Sequence, residues 1–137
     1  MHAAVEGLVV VSDWKNPMTD PSSPTRILIL GGGFAGVSVA SRLVRRLGRR
    51  KDVVVELLNE ENYFVFQPLL PEVAAGAIHA NHVVNPIRAL VPKVRFRLCR
   101  VREVDPDAKI VRVEQGEGLH LVEISYDHLV IYMGKVA

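Results

Sequence analysis

Gly31, Gly33 and Gly36 are spaced as G-x-G-x-x-G, and that spacing has a specific chemical use. The first glycine lets the chain turn tightly, the second lets the backbone approach a pyrophosphate, and the third lets a helix pack closely on a strand. With Phe34 and Ala35 they would bring the first N–H groups of a helix, and the positive end of its dipole, against the phosphates of a dinucleotide. No Lys-Ser or Lys-Thr pair follows, which excludes a P-loop. Such a site also needs an acceptor for ribose hydroxyls about 20 residues on. Asn59, Glu60 and Glu61 stand there, and Glu60 is the first candidate because a carboxylate accepts two hydroxyls better than an amide does. The competing reading of these residues is a group of solvated turn acids. Glu56 falls inside an apolar run and points elsewhere, and no basic residue at this strand end favours a 2′-phosphate.

The remaining reactive side chains are sparse. His79 and His82 are three apart and could share a helix face, but no third ligand stands nearby, so no metal site is expected. His120 and His128 read as strand surface residues. Cys99 is the single cysteine, which rules out a disulfide framework within the chain; it reads as a small buried hydrophobe. Tyr63, Phe64, Phe66, Pro68, Leu69 and Leu70 could border a flat redox partner, but packing against a sheet edge is the preferred reading. No residue is assigned a catalytic role.

The elements that must position these residues follow from periodicity. Arg26-Ile27-Leu28-Ile29-Leu30 is too short for a helix and reads as a buried strand. After the glycine turn, Val37, Ala40, Leu43, Val44 and Leu47 recur at helical spacing up to Gly48. Val53 to Leu58 is a second buried strand. Strand, glycine turn, helix and strand make a βαβ unit, which implies a parallel sheet with a right-handed crossover. Asn85-Pro86 reads as a helix cap and first helical residue, the helix ending near Val91 before Pro92. Val94, Phe96 and Leu98 alternate with Arg95 and Arg97 as a half-buried strand. Residues 109–114 and 120–125 flank Gln115-Gly116-Glu117-Gly118 as a β-hairpin, and 127–132 make a last strand. Residues 1–24 read as a flexible leader rich in breakers, with Met18 a conceivable alternative start and order beginning at Thr25.

Composition sets outer bounds. The 137 residues make one domain's worth of chain, 49% apolar and 23% charged, as in ordinary globular proteins. A net charge of +2 is too small to argue for nucleic acid. Arg42, Arg45, Arg46, Arg49, Arg50 and Lys51 read as a solvated helix face favoured by the dipole, with contact to anionic lipid the competing reading. No apolar run is long enough for a transmembrane helix, and Gly7 to Val11 lacks the basic flank of a signal peptide.

Several segments are similar to one family. Arg26 to Gly36 resembles the N-terminal FAD fingerprint of type II NADH dehydrogenases, and Asn62-Tyr63-Phe64-Val65-Phe66-Gln67-Pro68-Leu69-Leu70-Pro71-Glu72-Val73-Ala74-Ala75-Gly76 resembles that family's segment after the second strand. Val101 to Asp105 is similar to the family strand passing the adenine, and Tyr126 to Ile131 to the strand before a second glycine contact with FAD. The resemblance runs from about Thr25 to the end. It implies an α/β, Rossmann-like FAD-binding domain in a two-dinucleotide-domain flavoprotein that oxidises NADH and reduces quinone at a membrane surface. On it, Gly31, Gly33, Phe34, Ala35 and Gly36 would face the FAD pyrophosphate, Val101 would offer backbone groups to adenine, and Gly134 would approach the flavin side. The chain departs from the family at Asn59, where an aspartate is usual, which leaves the ribose to Asn59 or Glu60. It departs again at Tyr132-Met133-Gly134-Lys135, which replaces an alanine- or threonine-containing turn.

The same resemblance implies an incomplete domain over residues 25–137, with the NADH-binding domain, quinone site and membrane helices lying further on. The chain alone is then expected to be inactive, with membrane contact only through those further regions and the oligomeric state open. The implied location is cytoplasmic, at the cytoplasmic face of the inner membrane for the full-length protein. Two alternatives stand beside this one, a sulfide:quinone oxidoreductase-like branch and a truncated non-catalytic nucleotide-binding module. The lack of any cysteine in residues 59–80 argues strongly against disulfide-reductase chemistry.

Overall fold

A computed structural model describes residues 2–5, 8–12, 22–65 and 67–133. Strands β1 (His2–Val5), β2 (Leu8–Ser12) and β3 (Thr25–Leu30) lead to helix α1 (Phe34–Leu47) and strand β4 (Val53–Asn59). A short hairpin of β5 (Tyr63–Val65) and β6 (Val84–Pro86) encloses α2 (Leu70–Ala74) and precedes the single turn α3 (Ile87–Leu90). Strands β7 (Arg95–Leu98), β8 (Arg100–Asp105), β9 (Ile110–Gln115), β10 (His120–Ser125) and β11 (His128–Ile131) complete the chain. The main sheet runs β1-β2-β11-β3-β4-β7. Its four strands β11, β3, β4 and β7 are parallel, as the βαβ reading requires. The expected hairpin is there too, extended by β8 into the antiparallel meander β10-β9-β8.

Three layers result. Ile27, Ile29, Val55 and Leu57 face α1 and α3, where Ala40 and Ile87 are fully buried. Leu28, Leu30 and Leu58 face the other way, against Val111 and Val113 of the meander. Buried on both faces, β3 and β4 are continuous apolar runs rather than alternating ones. The exception is Glu56, only 1% exposed. Its two carboxylate oxygens are held by Arg26 at 3.2 Å and Arg97 at 2.7 Å, so the charge is buried but paired.

Two expectations fail locally. Residues 1–24 hold two strands, and β2 pairs antiparallel with β11, which would otherwise present an open edge of unpaired backbone groups. Residues 13–21 lie outside the described ones. Asn85-Pro86 does not open a helix in the expected way: Asn85 pairs with Phe64 and Pro86 with Tyr63 in β6, and the helix begins at Ile87. Pro86 tolerates this because an edge strand can spare its missing donor. Among the described residues, no helix is long and apolar enough to cross a membrane.

Candidate cofactor site

Parallel pairing of β3 with β4 and β11 brings their C-terminal ends to one edge, and the glycine turn sits there. This is where open α/β sheets bind ligands. Gly31 has φ +104°, a left-handed conformation that a side chain resists. A Cβ on Gly31 would lie 1.9 Å from the Tyr132 carbonyl oxygen, and one on Gly36 would lie 1.8 Å from the carbonyl oxygen of Gly31. Gly32, outside the sequence motif, is crowded as well: its Cβ would meet Ile87 at 2.7 Å and Asn59 at 2.8 Å. Gly33 alone of the four is open, with only the Tyr132 ring at 4.0 Å. Backbone therefore requires glycine at positions 31 and 36, while a side chain at position 32 would have to displace those of Ile87 and Asn59. The fourth leaves room for something outside it.

Helix α1 starts directly at that opening. Gly33 is its N-cap, no side chain caps it, and its first turn holds no acidic residue. Its first turn carries the positive end of the helix dipole, and the N–H groups of Ala35 and Gly36 point out of the helix start. An anion approaching Gly33 would meet both.

Two cavities flank this point and share Gly32, Gly33, Asn59 and Tyr132. The smaller, about 240 Å³, reaches past Glu60, Cys99 and Val101. The larger, about 630 Å³, is walled by Phe34, Tyr63, Phe64, Val65 and Pro68. A ligand with a diphosphate at its middle and a planar group at each end fits that layout.

The acceptor residues divide their roles. Asn59 Oδ1 accepts the Gly32 N–H at 2.9 Å, and its Nδ2 donates to the Glu61 carbonyl at 2.9 Å. The amide is a clip between the glycine turn and the loop after β4. Glu60 is half exposed and 3.3 Å from the Arg100 guanidinium, a loose surface pair that a hydroxyl could displace. Cys99 is buried, and that burial pushes its thiol up to about 11. It is a packing residue, as expected.

The structure brings together Gly31, Gly33, Phe34, Ala35, Gly36, Asn59, Glu60 and Val101 around one edge of the sheet. Gly134 and Phe66 lie outside the described residues. The preferred reading of the aromatic segment needs correction: β5 pairs with β6 in its own two-stranded sheet and turns Tyr63 and Val65 toward the larger cavity, while Phe64 both lines it and packs on the core. Sequence reasoning missed Gly32 and treated Tyr132 only as a departure from a family turn. The ring of Tyr132 stands over Gly33 at the junction of the cavities. His79 and His82 meet edge to face with centroids 6.1 Å apart, and no metal-ligand group forms among the described residues.

The sequence profile of the pyridine nucleotide-disulphide oxidoreductases matches residues 25–137. The type II NADH:quinone oxidoreductase Ndh of Mycobacterium tuberculosis is 31% identical over 127 residues, covering 90% of this chain and 26% of that one. The mitochondrial sulfide:quinone oxidoreductase of Mus musculus is 35% identical over 109 residues, covering 79% of this chain and 22% of that one. Among solved structures, NDH2 from Plasmodium falciparum superimposes with a TM-score of 0.68 at 25% identity, over 79% of this chain and 22% of that one. The chain spans about a fifth to a quarter of the length of the curated relatives it matches. The resemblance to type II NADH dehydrogenases thus holds at the level of relatives: the chain belongs to the pyridine nucleotide-disulphide oxidoreductase family, and that membership implies a flavin cofactor.

Proposed function

We propose that the glycine turn holds the diphosphate of FAD, and that the chain is the FAD-binding part of an NADH:quinone oxidoreductase. The observation that carries this reading is the contrast at the turn. Gly31, Gly32 and Gly36 are closed in by protein, while Gly33 opens between two cavities at an uncapped helix start. The adenosine would take the smaller cavity and the flavin side the larger one. Backbone N–H groups at Gly33 to Gly36 would hold the phosphates, Glu60 would accept the ribose hydroxyls, and the backbone at Val101 would meet the adenine. Phe34, 67% exposed, would cover apolar surface of the ligand and lose its own contact with water.

A bound FAD would supply the hydride and electron-transfer chemistry, which no side chain of this chain provides. The chain's work is to bind and orient it. Tyr132 and the β5 segment would shield one side of it from water, and the positive end of the α1 dipole would favour its diphosphate. Only one G-x-G-x-x-G is present in the sequence, so one dinucleotide is held and no steady NADH:quinone turnover is expected of these residues alone. Binding of FAD, FMN and ADP to the chain tests the reading. FMN lacks the adenosine and half the diphosphate, so FAD should bind at least tenfold more tightly than FMN, with ADP competing. Equal binding of FAD and FMN would remove the adenosine cavity from the account.

A second reading has the mouse sulfide:quinone relative in its favour. Sulfide chemistry calls for reactive thiols, and here the single Cys99 is buried with its thiol pushed up to about 11, where little thiolate exists at neutral pH. That residue does not serve it.

A further inference from the structure

Arg42, Arg45, Arg46 and Arg49 follow the i, i+3, i+4, i+7 spacing of one helix face, the last of them just past the end of α1. All four are exposed, and among the described residues none forms an ion pair. Six of the other eight arginines, Arg26, Arg50, Arg97, Arg100, Arg102 and Arg112, each meet a carboxylate; Arg88 lies over the Phe96 ring instead, and Arg95 stands apart from the stripe on β7. The one acid beside the stripe, Asp52, is already taken by Arg50. Like charges at i and i+4, as in Arg42–Arg46 and Arg45–Arg49, weaken an isolated helix. The helix dipole offsets this only in the last turn, and Arg42 lies before it.

A groove of about 340 Å³ runs beside the stripe, between the end of α1 and the loop from α3 to β7. Arg45, Arg49 and Lys93 supply charge at its walls, while Val44, Leu90 and Pro92 supply apolar surface. Leu90 is 39% exposed. Cations bordering an apolar floor match an anionic headgroup joined to a glycerol ester. No aromatic ring lines the groove, and single-stranded nucleic-acid surfaces use such rings for base stacking. We propose that this face of α1 and its groove dock onto an anionic phospholipid surface, through this chain's own residues rather than through regions further along.

The test is sedimentation of the 137-residue chain with phosphatidylcholine vesicles, with and without roughly one-third phosphatidylglycerol. An arginine near such a surface contributes about fivefold in partitioning. Arg42→Gln with Arg46→Gln should weaken binding to the anionic vesicles about 25-fold and reduce its salt dependence. Arg102→Gln with Arg112→Gln removes the same charge from the meander and should change binding less than threefold. Circular dichroism on both variants checks that the fold is retained. Absence of binding to anionic vesicles, equal effects of the two variants, or tighter retention on duplex DNA at matched anionic charge would each overturn the proposal.

Discussion

A methyl group added at each glycine of the turn should have sharply different consequences. At Gly33 the backbone is extended (φ −73°, ψ −173°), and the nearest atom to a new Cβ is the Tyr132 ring at 4.0 Å. Alanine is a poorer N-cap than glycine by about 0.5–1 kcal/mol. It also restricts the unfolded chain, which returns about 0.4–1 kcal/mol. Gly33→Ala should therefore leave stability within about 0.5 kcal/mol of the parent. The methyl would occupy the space where a diphosphate approaches, costing one or two charge-assisted hydrogen bonds at about 1.5–3 kcal/mol each. FAD affinity should fall at least 10-fold, and more than about 100-fold if the diphosphate shifts far enough to lose both. Gly36→Ala is the opposite case. Its Cβ would sit 1.8 Å from the Gly31 carbonyl oxygen, so α1 must move off β3 and stability should fall by about 2–3 kcal/mol. Flavin fluorescence titration and thermal unfolding on the same samples read both effects. Should Gly33→Ala keep full affinity, or destabilise as much as Gly36→Ala, the assignment of the open glycine to a ligand is refuted.

Other expectations follow from neighbouring residues. Asn59→Asp keeps the acceptor for Gly32 but loses the donor to Glu61, so it should cost about 1 kcal/mol of stability without tightening FAD. Glu60→Gln, by contrast, should weaken FAD about 5- to 20-fold at unchanged stability, read by the same titration. Glu56→Leu strands Arg26 and Arg97 without their shared carboxylate; since both are about a third exposed, the loss in chemical unfolding should be about 2–3 kcal/mol, below that of a fully buried pair. Cys99 has its folded pKa raised to about 11 from 9.0 by burial, so the folded state holds its proton longer than the unfolded one. The Cys99 contribution to stability should be constant below about pH 9 and fall as pH rises toward 11; Cys99→Ala should make the alkaline slope shallower, leaving the part that Tyr126, also raised by burial, contributes.

What the sequence made legible was local. Gly31, Gly33 and Gly36, the apolar runs of β3 and β4 and the repeat of α1 all follow from residues close together in the chain. Gly32 could not be found that way, because the groups that crowd it come from Asn59, 27 positions on, and from Ile87. The place of Tyr132 over the turn depends on β11 pairing parallel with β3, a contact across most of the chain. Asn85-Pro86 carries a sound local helix signal that lost to pairing with Tyr63 and Phe64. The strands within residues 1–24 are short apolar runs whose structure depends on partners: β2 pairs with β11, and β1 with β2. Sequence proposed two adjacent residues, Asn59 and Glu60, as candidate ribose acceptors. Only the geometry separates an amide turned inward from a carboxylate left free to exchange its partner.

The most direct measurement is an amide nitrogen–proton NMR titration of the chain with FAD. The account predicts that the largest shifts fall on Gly33, Phe34, Ala35 and Gly36, with smaller ones at Glu60 and Val101, and that ADP reproduces them. Shifts concentrated elsewhere, or none at the glycine turn while FAD binds, would contradict it.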